Sequence, residues 1–228
     1  MRRLLEFVAF SAAACAVMLF GTPLILAVLT AIYGDVGHVP PSVLGNLIYL
    51  SPVFPLLLGI VAIARLKAAG VSIVRLIGIS RSTLRGDLIL GGAIGLIGLL
   101  LALASLSLFS SVAAVPPFHL IPIRTHVYLA TIGAVVPGVC EELFYRGMLL
   151  HIARPASRWL GVTATAAAFS LWHIGSPIYL PHTFLLGLIL GGAVVVRGRL
   201  APAIIGHSLA NAAFGAWIIS GGPIPGAG

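Results

Sequence analysis

Long apolar runs follow one another through this sequence, separated by short segments that hold most of its charge. Residues 4–32, 43–64, 88–112, 127–152, 159–174, 182–196 and 201–220 form seven such runs. A helix needs roughly 20 apolar residues to cross the hydrocarbon of a bilayer, and several runs reach that length. Charged residues make up only 8% of the chain, against about 25% in soluble domains, so too little polar surface exists to cover a water-soluble core. The short alternating segments of a transmembrane β-barrel are absent from the pattern. The expectation is an all-α, polytopic membrane helix bundle of about seven transmembrane helices. It forms a single membrane-embedded domain over residues 1–228.

The basic residues test that count. Loops on the cytoplasmic side carry an excess of Lys and Arg. With the N-terminus in the cytoplasm, even alternation puts eleven of the thirteen basic residues inside. They are Arg2 and Arg3, the five between Arg65 and Arg85, Arg154, Arg158, Arg197 and Arg199. Arg124 falls outside and Arg146 within a run. One span more or fewer spoils the agreement. Arg2 and Arg3 also resemble the start of a signal peptide, but the run behind them is far too long for one. The stretch from Arg65 to Arg85 spaces its charges among Val, Ile and Leu, as a short amphipathic helix at the membrane surface does.

The +8 formal charge does not signal nucleic acid, because the basic residues form no stripe. Cys15 and Cys140 lie inside apolar runs and give neither a disulfide framework nor a metal signature; both read as small apolar core residues. The Ala/Gly/Leu-rich, lysine-poor composition points to the plasma membrane of a prokaryote.

Chemistry concentrates in one place. Cys140-Glu141-Glu142-Leu143-Phe144-Tyr145-Arg146 sets two carboxylates and a guanidinium in the fourth run. Each charge near the bilayer centre costs roughly 2.5–3.5 kcal/mol on insertion scales, so ionisable residues there mark function by default. Glu142 and Arg146 are i, i+4 and share a helix face; they read as an ion pair that lets the helix insert. Glu141 points about 100° away and needs a partner from another helix.

His173 near the end of the fifth run, and His207 and Asn211 in the seventh, are the candidates. Counted at 1.5 Å per residue from the cytoplasmic ends, Glu141 lies roughly 18 Å deep, His207 roughly 10 Å and His173 roughly 22 Å, a loose match to one cluster. His38, His119, His126, His151 and His182 fall at loops or helix ends and read as interfacial. A carboxylate facing two imidazoles and an amide has the parts for peptide hydrolysis. Glu141 would act as general base on a water with His173, and His207 and Asn211 would stabilise the oxyanion. The same atoms offer a second chemistry, in which Glu141, His173 and His207 ligate a divalent metal such as zinc. Neither His-Glu-x-x-His nor Gly-x-Ser-x-Gly occurs.

Glu141-Glu142-x-x-x-Arg146, then Phe169-x-x-x-His173, then His207-x-x-x-Asn211, on successive apolar runs, resembles the CAAX prenyl protease and bacteriocin-processing (Abi) family. The resemblance covers about residues 127–213, with residues 1–126 as peripheral helices and a basic surface loop. It implies an intramembrane endopeptidase, glutamate-dependent or metal-dependent, acting on a membrane-associated protein or peptide. It implies Glu141 and His173 as the water-activating pair, His207 and Asn211 as the oxyanion pair, and Glu142 and Arg146 as supports. Some relatives act as binding or scaffold proteins, so a non-enzymatic membrane binding or immunity protein is the alternative. A proton-coupled transporter is a third reading, weakened by the absence of an internal repeat of interrupted spans.

Overall fold

The computed structural model describes residues 1–35, 38–40, 43, 49–109, 123–153, 157–174 and 177–220. Among these residues there is no strand. The helices are α1 (Arg2–Tyr33), α2 (Val53–Ala68), α3 (Ile73–Ile77), α4 (Arg81–Phe109), α5 (Ile123–Ala130) and α6 (Ile132–Glu142). After α6 come a π-helical segment (Leu143–Leu149), α7 (Leu150–Ala153), α8 (Arg158–Trp172), a single 3-10 turn (Pro177–Tyr179), α9 (Leu180–Arg197) and α10 (Ala201–Ile219). His119 and Arg154 lie outside the described residues.

Among the described residues, five helices are long and apolar enough to cross a membrane: 2–21, 81–108, the composite 123–153, 180–197 and 201–219. α2 has 16 residues and α8 has 15, short of a full span. The expected seven spans are thus represented by five. α4 begins at Arg81, earlier than the apolar run, because Ser80 accepts from the Leu84 and Thr83 backbone N–H groups and starts the helix inside the basic stretch. Only Ile73–Ile77 remains as the separate surface helix, opened by Ser72 and closed by Gly78 at φ 72°.

The basic helix ends gather at one end of the bundle. Arg65 near the close of α2 meets Glu6 in the second turn of α1 at 2.7 Å. Arg199, between α9 and α10, grips Asp87 near the start of α4. The Leu200 N–H donates to the Leu76 carbonyl. Leu66, Leu76 and Leu200 all crowd Gly147, which joins these contacts into one end.

Two glycine seams set the packing that the site depends on. Gly91, Gly95 and Gly98 share one face of α4. A Cβ added at any of them would come within 2.6–2.7 Å of Ile205, Leu209 or Ala210. From the other side, a Cβ on Gly206 would lie 2.7 Å from Ile94. Small residues at this spacing let membrane helices approach closely, and α10 is thereby held flush against α4. On the opposite flank, Gly138 of α6 leaves room only for Ser208. α10 is thus wedged between α4 and the helix that carries the glutamates.

Candidate active site

The fourth apolar run is not one regular helix. Pro137 has no N–H for the Gly133 carbonyl, and the helix resets just upstream at Thr131, whose φ and ψ are −114° and −94°. Thr131 Oγ1 donates to the Val127 carbonyl at 2.8 Å across the break. Directly after Glu142 the helix widens into the seven-residue π segment, with every residue of it buried. Such segments recur at functional sites.

Glu142 is the hub. Its Oε1 accepts from Arg146 Nη1 at 2.6 Å, with neither side chain exposed. The same oxygen lies 2.9 Å from His207 Nδ1. Arg146 also donates to the Gly187 carbonyl of α9 at 3.1 Å and stacks 4.6 Å from the centroid of Phe169. A Cβ on Gly187 would meet the Ala166 backbone at 3.0 Å and Arg146 at 3.2 Å, so glycine is what lets the guanidinium reach this carbonyl. A carboxylate bonded to arginine only accepts, so His207 Nδ1 carries a proton and its Nε2 points the other way. There it lies 3.9 Å from Glu141 Oε2. The 100° between consecutive residues thus sets the two carboxylates on the two sides of one imidazole. The partner Glu141 needs is His207.

His173 is placed by a helix end. α8 stops at Trp172, and the Phe169 carbonyl is one of the last-turn acceptors that a helix leaves without an intrahelical donor. His173 Nδ1 bonds it at 3.0 Å. A carbonyl only accepts, so Nδ1 is the protonated nitrogen and Nε2 keeps its lone pair. The Phe169 ring stands edge-on to both His173 and His207, at 5.0 and 5.4 Å between centroids, and spaces the two imidazoles. Ser170 Oγ donates to the Leu180 carbonyl at 2.8 Å and ties the end of α8 to the start of α9.

These elements enclose a cavity of about 180 Å³ whose walls include His173, His207, Asn211, Tyr179, His182 and Thr183. The Asn211 side-chain amide forms no hydrogen bond with another described residue. Glu141 is 4% exposed; it approaches His207 Nε2 and is not itself one of the residues lining the cavity. No direct hydrogen bond joins Glu141 to His173. The site therefore assembles Glu141, Glu142, Arg146 and His207 by contact, and sets His173 and Asn211 beside them across a cavity.

His182, close to the sixth apolar run, lines the cavity, with its ring edge-on to Tyr179 at 5.5 Å. His126 is also buried, at 6% exposure. The only sequence signal for His182 was its position just inside an apolar run. The metal alternative draws on Glu141, His173 and His207. Among the described residues no three His, Cys, Asp or Glu side chains converge as metal ligands. Nδ1 of His207 and of His173 is held by an oxygen acceptor in each case, which leaves Nε2 as the free nitrogen of both rings.

Residues 123–213 match the family model described as Rce1-like, type II CAAX prenyl endopeptidase Rce1-like. The match spans all three motifs. No curated protein matches the chain, and no solved structure does.

Proposed function

We propose, from the CAAX protease family membership that this match supports, that the chain is an integral membrane endopeptidase with a glutamate-activated water. It cleaves a membrane-associated protein or peptide. The observation that carries the reading is the pair of carboxylates flanking His207 beside a cavity that holds His173 and Asn211.

The 3.9 Å between Glu141 and His207 Nε2 is too long for a direct hydrogen bond and is a gap that one water can bridge. Glu141 takes a proton from this water, and the Nε2 lone pair of His173 accepts its second hydrogen bond. The hydroxide adds to the scissile carbonyl. The Asn211 amide, which has no hydrogen-bond partner among the described residues, donates to the oxyanion. For His207 to donate as well, it must carry a proton on Nε2 in addition to the one on Nδ1. Glu142 is placed to stabilise that imidazolium, in the way a carboxylate orients and supports a catalytic histidine. Two carboxylates, one guanidinium and one imidazolium then sum to neutral, the cheapest total charge for a dry interior. The intermediate collapses, the C–N bond breaks, and Glu141 returns its proton to the leaving amine.

The reading places the basic end of the bundle, and the N-terminus, in the cytoplasm. It is tested by presenting a broad library of membrane-tethered peptides to the purified protein and mapping new termini by mass spectrometry. Cleavage at defined bonds that His173→Ala removes is the expected result. An uncut library with folded protein moves the chain to the binding or scaffold reading.

A further inference from the structure

A second cavity, about 480 Å³, lies at the basic end of the bundle, well away from His207. Leu4 and Phe7 of α1, Ile152 of α7, and Leu160 and Ala164 of α8 form apolar walls, and Arg2 and Arg3 line the same space. Its volume falls in the roughly 300–1,000 Å³ range of ligand sites. The protein supplies little to fill it, because α1 is thinly packed: 6% of the window within Arg2–Gly21 is buried.

The charge around this cavity is unbalanced. Glu6 is shared by Arg2 at 3.2 Å and Arg65 at 2.7 Å. Among the described residues no carboxylate pairs with Arg3. An apolar slot that ends at excess guanidinium charge, where the chain meets the membrane surface, selects an amphiphile with an anionic head. Arginine clusters beside membrane spans recognise such lipids by charge, and guanidinium matches phosphate geometry.

We propose that this cavity binds one anionic glycerophospholipid. Its phosphodiester sits against Arg2 and Arg3, and one acyl chain runs along Leu4, Phe7, Ile152, Leu160 and Ala164. A zwitterionic lipid fits the slot but gains less from the arginines. The bound lipid fills the gap between α1 and the α7–α8 corner and so joins the loosest helix to the domain that carries the site. The inference is independent of whether the chain cleaves peptides.

The test is native mass spectrometry of the full chain in mild detergent, titrated with phosphatidylglycerol and phosphatidylcholine of identical acyl chains. One phosphatidylglycerol should be retained in preference to phosphatidylcholine. Arg2→Gln with Arg3→Gln should bring the two lipids to parity, at roughly fivefold per arginine; Arg2 is 91% exposed in its side chain, so this variant keeps its fold. Ala164→Phe, which fills the slot and leaves the arginines, should weaken both lipids. Equal retention of the two lipids by the unmodified chain overturns the proposal, as does an undiminished preference in the double variant. If Ala164→Phe folds and holds both lipids as before, the acyl chain is not in this cavity and the proposal also fails.

Discussion

At the centre of the bundle Arg146 meets Glu142 with neither side chain exposed, while at its basic end Arg199 grips Asp87 with 18% of the arginine still open. The end pair is well satisfied. Both Asp87 oxygens accept, from Nε at 2.9 and 3.2 Å and from Nη2 at 2.8 Å, and the pair ties the start of α4 to the α9–α10 turn. The central pair is not. One Glu142 oxygen carries both Arg146 and His207, while its other oxygen and Arg146 Nε are buried with no hydrogen-bond partner among the described residues. Buried polar groups left unpaired are costly and call for a reason. The difference teaches that the same two functional groups serve as a staple in one place and as an orienting device in the other. In the centre, hydrogen-bond satisfaction is given up to fix one face of His207.

Five variants would break or sharpen this contrast. Arg146→Ala leaves Glu142 buried and uncompensated and should cost about 3–5 kcal/mol of stability, read as loss of folded protein in a detergent melt. Removing both partners, in Glu142→Ala with Arg146→Ala, should recover much of that stability and none of the activity, since His207 loses its acceptor. Asn211→Ala should lower kcat by about 10²–10³-fold with an unchanged melting temperature, because the amide has no hydrogen bond to another described residue. A melting loss there would make Asn211 a packing residue. Asp87→Asn should cost about 1.5 kcal/mol, the low end for hydrogen bonds to charged groups because Arg199 keeps solvent contact, with cleavage untouched. Arg65→Gln is the smallest: its pair with Glu6 is partly exposed, and such pairs contribute little, so neither melting nor turnover should move measurably.

Much of this was legible before any coordinates. Composition and run length point to helices, and the fourth run holds the charged stretch where it was read. Glu142 and Arg146 pair at i, i+4 as the spacing demands. The search for a partner to Glu141 narrows to three residues, because polar groups inside apolar runs are few, and His207 is the one that approaches it. What the sequence hides is azimuth and depth. That both carboxylates bracket His207 depends on the seating of α10 against Gly138 and against the Gly91–Gly95–Gly98 face. That seam could have been read from its spacing of small residues. The π segment leaves no comparable trace, since its residues suit an α-helix equally well. His182 joins the cavity because α8 ends at Trp172 and the chain turns back through Pro177–Tyr179, a tertiary outcome. The span count suffers for a related reason: α2 and α8 are helices in the expected places but too short to cross on their own.

The most direct test of the account is to assay Glu141→Gln beside the unmodified chain on the membrane-tethered peptide library, with and without a chelator, and to melt both proteins. The substitution is nearly isosteric and removes only the basic oxygen. The account predicts cleavage by the unmodified chain that survives the chelator, loss of cleavage in Glu141→Gln, and closely similar melting curves. Cleavage that persists in folded Glu141→Gln would contradict the central claim, and cleavage abolished by the chelator would contradict the glutamate-activated water.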